Sequence, residues 1–195
     1  MMKKTFAIET SCDDTSVGII SYADGVFSVE KLVAYSQVQD HQKFGGVVPE
    51  IAYRLHSEKI IRLIEEVGLE SISAADQICV TVNPGLGGSL LVGKTAAHML
   101  GDHLQKKVLG VNHIYGHIFS ILLERNVAEL PFPRVVLTAS GGHNEIYLIN
   151  NKSVANDELL ITNGPKLEDM EITKLGQTLD DAAGECFDKV ARMLG

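Results

Sequence analysis

Two histidines four residues apart carry the clearest chemical signal in this sequence. His113 and His117 lie in the segment Asn112-His-Ile-Tyr-Gly-His117, at the start of a predicted helix. Because four residues span just over one helical turn, both imidazoles face the same direction and could bind one metal ion. No Glu follows the first His as it does in zinc peptidases, so two unrelated histidines on a polar helix face remain an alternative. Candidates for a third ligand are His143 and a carboxylate outside this sequence.

Two segments, Phe6–Ile20 and Val135–Ile149, have the same pattern of residues. Each predicts an apolar strand, a tight turn of small polar residues centred on a serine, and a second apolar strand. The serines are Ser11 and Ser140. A turn of this kind exposes several backbone N–H groups and a hydroxyl at one point, which suits a phosphate. The pair of hairpins predicts a nucleotide held between two related lobes, and chance similarity of two β-hairpins is the alternative.

Acidic residues occur at the first turn and at the start of the last predicted helix. Asp13 and Asp14 could hold a cation or its waters beside a phosphate, or accept a proton, although Asp also favours turns for purely local reasons. Further along, the segment Asp180–Lys189 opens a helix with acidic residues, which simple compensation of the helix dipole could explain. Asp188 lies two turns into that helix, where capping does not account for it.

The segment Gly88–Thr95 fits the consensus of the phosphate-binding loop in P-loop NTPases. A loop that wraps a phosphate needs glycine-rich backbone, but the middle of this segment is apolar and continues a helical pattern. We therefore predict a helix from Ser89 onward, with Gly93 at a point of close packing. A P-loop nucleotide kinase, which would depend on Lys94, is kept as an alternative function.

Composition limits the class of protein. The chain has 195 residues, of which 45% are hydrophobic and 22% charged, as in soluble globular proteins with one or two cores. A net charge of −8 argues against nucleic-acid binding through a broad basic surface, but not against RNA contact through a local patch. The cysteines, Cys12, Cys79 and Cys186, are odd in number and widely spaced, which argues against a disulfide framework. The N-terminus lacks the apolar stretch of a signal peptide, so we expect a cytoplasmic location.

The order of predicted elements indicates an α/β fold that begins with three antiparallel strands. Residues 1–130 form a predicted N-terminal lobe of β-β-β-α-β-α-β-α order, and residues 131–195 begin a second lobe. A second lobe that repeats the first would be more than about a hundred residues long, so we expect the front part of a longer protein. The predicted strands are Thr5–Thr10, Ser16–Tyr22, Phe27–Ser36, Gln77–Val82 and Val108–Asn112; the helices are 49–68, 89–105, 113–125 and 179–194; Gln37–Val48 and Asn150–Lys174 are irregular.

Taken together, these segments resemble the TsaD-type tRNA threonylcarbamoyladenosine transferases of the actin/Hsp70-like (ASKHA) superfamily. The resemblance rests on Ile8-Glu-Thr-Ser-Cys-Asp13, Phe44-Gly-Gly-Val-Val-Pro-Glu50, Pro84-Gly-Leu with Leu90-Leu-Val-Gly93, the two histidines, Ser140-Gly-Gly-His143 and Asp180–Lys189. Two positions depart from the family: Asp14 stands where Glu is usual, and Lys94 where a small residue is usual.

The resemblance implies an actin-like two-lobe fold and transfer of the threonylcarbamoyl group from threonylcarbamoyl-AMP to N6 of the adenosine 3′ to the anticodon, in tRNAs that read ANN codons. His113 and His117 would bind one divalent metal ion, expected to be Fe2+, and Ser11 and Asp13 would be catalytic residues beside the phosphate and the acyl group. The adenylate substrate would be held by Thr138, Ala139, Ser140, Gly141, Gly142 and Asp188.

The resemblance also implies partners: tRNA, a paralogous subunit of the TsaB type and an ATPase subunit of the TsaE type, with no membrane. The family's third metal ligand, an Asp, falls outside this sequence, so we expect the chain alone to bind metal weakly and to be inactive. A non-catalytic scaffold subunit of the same fold is the alternative, although the family's inactive paralogue lacks the paired histidines.

Overall fold

The computed structural model describes residues 2–126, 131–142, 144–151 and 170–194. The chain divides into two compact units, Met1–Glu124 and Arg125–Gly195, which are described separately. The predicted lobe boundary after residue 130 stays a prediction. Among the described residues, no helix is long and apolar enough to cross a membrane.

The first unit contains a mixed five-stranded sheet in the order β3-β2-β1-β4-β5. β1 pairs antiparallel with β2 and β2 with β3, whereas β4 runs parallel to β1 and β5 parallel to β4. The α/β class and the three leading antiparallel strands are therefore confirmed. The strands are β1 (Lys3–Glu9), β2 (Asp14–Ala23), β3 (Val26–Ser36), β4 (Gln77–Asn83) and β5 (Val108–Asn112).

Five helices accompany this sheet: α1 (Val38–Gln42), α2 (Pro49–Val67), α3 (Leu69–Ser73), α4 (Gly87–Leu104) and α5 (His113–Phe119). Pro49 is the first residue of α2, as predicted, because its missing N–H has no partner to lose there. The predicted helix over 113–125 is wrong in its length. It ends at Phe119 and a 3-10 turn follows, where the Ser120 hydroxyl donates to the carbonyl of His117 at 2.8 Å.

The core lies between the sheet and the helices α2 and α4. Phe6 and Ile78, on neighbouring strands, are fully buried, and Val67 of α2 is 1% exposed. Each such side chain contributes on the order of 1.5–3 kcal/mol by leaving water. Burial of this face sets the register of β1 and β4, and therefore which residues stand at their carboxyl ends. The core comprises Phe6, Ile8, Val17, Ile19, Ile60, Leu63, Ile64, Val67, Ile72, Ala75, Ile78, Val80 and Ala97.

Close packing between α4 and the end of β1 depends on Gly93. The Thr10 hydroxyl donates to the Ser89 carbonyl at 2.8 Å, and a Cβ added at Gly93 would lie 2.4 Å from the Thr10 hydroxyl oxygen. We expect Gly93→Ala to have a free energy of unfolding about 1–3 kcal/mol below that of Gly87→Ala in chemical denaturation. Gly87 is the control, because a Cβ there would meet nothing within 4 Å. Equal free energies of unfolding for the two variants would contradict the close contact between Gly93 and Thr10.

In the second unit, the described residues form an antiparallel sheet in the order β6-β7-β8 and one helix. Its elements are β6 (Arg134–Ala139), β7 (Asn144–Asn151), β8 (Met170–Gln177) and α6 (Ala183–Leu194). Each of the two similar sequence segments therefore forms a hairpin, β1-β2 and β6-β7, followed by a third antiparallel strand. The irregular stretch predicted up to Lys174 is wrong from Met170 onward, because those residues form β8, and residues 152–169 lie outside the described part of the chain.

The helix α6 has large apolar side chains in water: Phe187 and Met193 are 75% and 84% exposed.

Candidate functional site

The two histidines converge on one point at the end of β5. The side chain of Asn112, the last residue of that strand, accepts a hydrogen bond from the Ile114 N–H at 2.9 Å and starts α5. The Nε2 atoms of His113 and His117 lie 3.0 Å apart, and their rings are nearly perpendicular, at 81°. Two nitrogens at about 2.0–2.1 Å from one metal are separated by roughly 2.9–3.4 Å when the bond angle is about 90–110°. The pair therefore has the spacing of two ligands of a single ion.

The carboxylate of Glu9, at the end of β1, lies behind His113. It accepts hydrogen bonds from the Ser11 N–H and the Thr81 hydroxyl, and it is 3.1 Å from Nδ1 of His113. Burial alone would raise the pKa of Glu9, but the hydrogen bonds from His113, Ser11 and Thr81 lower it to about 2. An ionised carboxylate only accepts, so Nδ1 of His113 must carry the proton. Nε2, on the opposite side of the ring, faces His117, and a carboxylate behind the Nδ1 of a histidine is the arrangement found around histidines that bind metals.

His117 is the second imidazole of the pair. Burial lowers its pKa, and the neighbouring His113 lowers it further, so its ring is neutral at pH 7. The chemistry of this donor set fits a transition metal, because imidazole binds such ions only when neutral. The pair supplies two ligands; within the described residues, no group of three or more His, Cys, Asp and Glu is arranged to hold a metal ion. His143, the other candidate, lies outside the described residues.

Ser11 stands beside the histidines, in the turn between β1 and β2. It is 3% exposed, and its hydroxyl oxygen is 3.1 Å from Nδ1 of His113. The turn is packed against the segment that leads into α4, where the Leu86 N–H donates to the Ser11 carbonyl at 2.7 Å. Gly85 has a φ of +153°, and a Cβ there would lie 2.5 Å from the same carbonyl oxygen, so only glycine fits. Asp13 belongs to this turn and is half-buried.

The remaining predicted residues lie in the second unit. Thr138 is buried near the end of β6, and its hydroxyl donates to the Glu145 carbonyl at 3.3 Å. The Gly141 carbonyl accepts from the Glu185 N–H at 3.0 Å, which joins the turn to the start of α6. Asp188 is exposed on that helix. Their predicted roles stay predictions, as do those of the other turn residues, Ala139, Ser140 and Gly142.

Sequence reasoning assigned no role to Glu9 and Thr81, which complete the surroundings of His113. A usable signal was present in the sequence. Glu9 follows directly on the apolar strand that contains Phe6 and Ile8, at the carboxyl end of a strand that lies parallel to two others. Polar residues at the carboxyl ends of parallel strands meet at one edge of the sheet, which is where α/β proteins build their sites.

The P-loop alternative is wrong. Residues 88–95 lie entirely within α4, which runs from Gly87 to Leu104. Their N–H groups beyond the first turn are used in helical hydrogen bonds and cannot wrap a phosphate. The prediction of a helix from Ser89 onward is confirmed.

Comparison with known proteins identifies relatives across the chain. The family model for TsaD, tRNA N6-adenosine threonylcarbamoyltransferase, matches residues 28–195. A protein of that name from Dictyoglomus turgidum is 46% identical over 195 residues, which is 98% of this chain and 52% of the relative. Another, from Prochlorococcus marinus (strain MIT 9515), is 41% identical over 197 residues, 100% of this chain and 50% of the relative. The chain thus spans about half the length of the curated relatives it matches.

Solved structures give more distant matches. YeaZ from Pseudomonas aeruginosa aligns with a TM-score of 0.46 and 16% identity, covering 90% of this chain and 66% of that protein. A Ppx/GppA family member from Aquifex aeolicus aligns with a TM-score of 0.41 and 13% identity, covering 90% and 52%.

Proposed function

Because the chain belongs to the TsaD family of tRNA N6-adenosine threonylcarbamoyltransferases, we propose that it takes part in the reaction for which that family is named. The threonylcarbamoyl group of threonylcarbamoyl-AMP is transferred to N6 of the adenosine 3′ to the anticodon, in tRNAs that read ANN codons. The observation that carries this proposal is the pair of imidazoles, whose Nε2 atoms are 3.0 Å apart, with Glu9 behind one of them. A scaffold protein has no need of such a pair.

His113 and His117 hold a divalent metal ion, expected to be Fe2+, through their Nε2 atoms. When bound, the ion supplies a Lewis acid that polarises a carbonyl oxygen or holds a carboxylate of the substrate. Glu9 holds a proton on Nδ1 of His113, which leaves Nε2 as the atom that binds the metal. By the resemblance to the family, the third ligand would be an Asp outside this sequence.

The chemical step joins N6 of the adenosine to the carbamoyl carbon and breaks the bond between that carbon and the phosphate oxygen, so that AMP leaves. Asp13 accepts the proton that N6 loses. The Ser11 hydroxyl lies beside the phosphate and the acyl group and donates to the charge that develops there. An exocyclic amine is a weak nucleophile, so positioning supplies much of the acceleration. In the second unit, the turn over residues 138–142 and Asp188 hold the adenylate.

A paralogous subunit of the TsaB type binds to the first unit, and an ATPase subunit of the TsaE type assists. Support for a protein partner comes from α4, where Leu91 and Met99 are 60% and 68% exposed two turns apart. Two large apolar side chains in water on one helix favour burial against a partner.

We expect the double variant Leu91→Asp, Met99→Asp to weaken binding of the TsaB-type subunit by about a hundredfold or more, since each buried apolar anchor contributes on the order of 2 kcal/mol. Isothermal titration calorimetry measures the change. Leu69→Asp is the matched control, because Leu69 is 54% exposed on a different helix, α3. An affinity unchanged in the double variant, or reduced equally by the control, would contradict the assignment of α4 to the interface.

A chimera tests the proposed function directly. Residues 1–195 replace the matching half of the Dictyoglomus turgidum relative, and the chimera is produced in cells that lack their own transferase but retain the partner subunits. Mass spectrometry of tRNA nucleosides is expected to detect threonylcarbamoyladenosine. A soluble chimera that binds its partners and leaves the tRNA unmodified would refute the proposal. Modification that survives loss of both histidines would instead favour the scaffold alternative.

A further inference from the structure

The turn between β1 and β2 is held through three consecutive carbonyl groups. The Ser11 carbonyl accepts from the Leu86 N–H at 2.7 Å, and the Asp13 carbonyl from the Gln37 N–H at 3.1 Å. Between them, the Cys12 carbonyl accepts from Nε2 of His56 at 2.9 Å. The donors come from three different parts of the fold: the segment before α4, the residue after β3, and α2. The first two are backbone groups, which are present whatever the side chain, whereas the third depends on one imidazole.

The surroundings of His56 determine its tautomer. A carbonyl oxygen can only accept a hydrogen bond, so Nε2 carries the proton. Nδ1 is then the acceptor, and the Thr15 hydroxyl donates to it at 2.7 Å. His56 and Thr15 are both fully buried. Burial also lowers the pKa of His56, so the ring stays neutral and keeps this arrangement at pH 7.

A second buried pair stiffens the other side of the turn. Gln37 is fully buried and His41 is 3% exposed. The Gln37 side chain donates to the Ala52 carbonyl of α2 at 3.3 Å, and its oxygen lies 3.0 Å from Nε2 of His41. The hydrogen bond to Ala52 links Gln37 to α2, and the N–H of the same residue donates to the Asp13 carbonyl. The turn is anchored to α2 twice, once through His56 and once through Gln37.

A trans peptide is planar, so its C=O and the following N–H point in opposite directions. With the Cys12 carbonyl directed at His56, the N–H of Asp13 must point to the other side of the turn. We propose that His56 is a positioning residue, which fixes the peptide plane between Cys12 and Asp13 and thereby the direction of the Asp13 backbone and side chain. The part of this inference that concerns reaction rate rests on the proposed function; the part that concerns the turn does not.

Three variants separate positioning from general stability. His56→Asn places an amide near the position of Nδ1 and loses the donor to Cys12, whereas His56→Gln reaches as far as Nε2 and keeps it. Thr15→Val removes the other hydrogen bond of the same imidazole but leaves the Cys12 contact intact. We expect similar decreases in the unfolding midpoint for His56→Asn and Thr15→Val. His56→Phe, which keeps a ring in the buried site and lacks a donor, replaces His56→Asn if that variant does not fold.

The first measurement uses the 195-residue chain itself. Hydrogen–deuterium exchange, resolved by mass spectrometry, should be faster over residues 11–14 in His56→Asn than in the unmodified chain, and close to normal in His56→Gln and Thr15→Val. The second uses the chimera described above. There we expect His56→Asn to lower kcat by on the order of tenfold with the KM for tRNA unchanged, and His56→Gln to restore it.

Equal exchange over residues 11–14 in His56→Asn and Thr15→Val would overturn the proposal, as would an equal loss of kcat in these two variants. If the unmodified chimera makes no product, the proposed function fails. The exchange measurement on the chain still decides whether His56 holds the turn.

Discussion

Changing both His113 and His117 to Ala is expected to remove metal binding from the chain and product formation from the chimera. The two Nε2 atoms converge at the end of β5, and the described residues contain no group of three or more His, Cys, Asp and Glu that could hold the ion instead. A Lewis acid contributes several kcal/mol to such a step, so we expect product formation to fall by roughly a thousandfold or more. Metal loss is measured by titration with Co2+, whose absorption reports imidazole ligands, and product by nucleoside mass spectrometry.

The double variant His98→Ala, His103→Ala is the matched control. Both residues are exposed on α4 and have the same chemistry as the candidate ligands. The control should bind Co2+ and form product like the unmodified protein. Equal Co2+ binding by both double variants would show that the pair on α5 is not the metal site.

The second large effect is expected from Glu9→Gln, which preserves the shape of the side chain and removes its charge. A glutamine amide can donate as well as accept a hydrogen bond, so the proton of His113 is no longer held on Nδ1. The tautomer with its proton on Nε2, which cannot bind the metal through that atom, then becomes populated. Loss of a carboxylate behind a ligating histidine reduces metal affinity by about 10–100-fold. We therefore expect this decrease in Co2+ affinity at pH 7. Glu30→Gln, which removes an exposed carboxylate paired with Lys4 at 2.7 Å, should leave the affinity unchanged.

The acid dependence of stability gives an independent check on Glu9. Its pKa is about 2 in the folded protein, below the value of about 4.3 for an unfolded chain. Above the unfolded pKa the carboxylate therefore contributes stability, and that contribution is lost as the pH falls from about 5 toward 2. The free energy of unfolding should decrease less steeply over this range in Glu9→Gln than in the unmodified protein. If the free energy of unfolding falls equally steeply with pH in both proteins, the hydrogen bonds from His113, Ser11 and Thr81 do not lower the pKa of Glu9.

Residue spacing within a single helix was enough to predict two parts of the structure. The spacing of His113 and His117 places both rings on one side of a helix, and the apolar run after Ser89 predicts α4 in spite of the P-loop consensus. The contact between His113 and Glu9 could not be predicted in the same way. It depends on β4 lying between β1 and β5, and strand order follows from packing of the whole core.

The errors in the secondary structure have the same origin. β8 begins with an apolar–polar alternation, Met170-Glu-Ile-Thr, but this lasts only four residues and is followed by Lys174 and Gly176, so the signal for a strand is short. α1 has five residues and is too short to show a period. What holds its first residues is the buried Gln37 with His41, a contact that an isolated segment would not have.

The separation of Glu9 and His113 along the chain is 104 positions. α5 has only seven residues and cannot persist as an isolated helix in water. The two imidazoles therefore hold their orientation only once all three parallel strands have assembled. Glu9 is synthesised before His113, but the two side chains meet only when β4 lies between β1 and β5, so the tautomer of His113 is not fixed before then. The geometry of the proposed metal site is consequently a property of the assembled sheet and not of α5 alone.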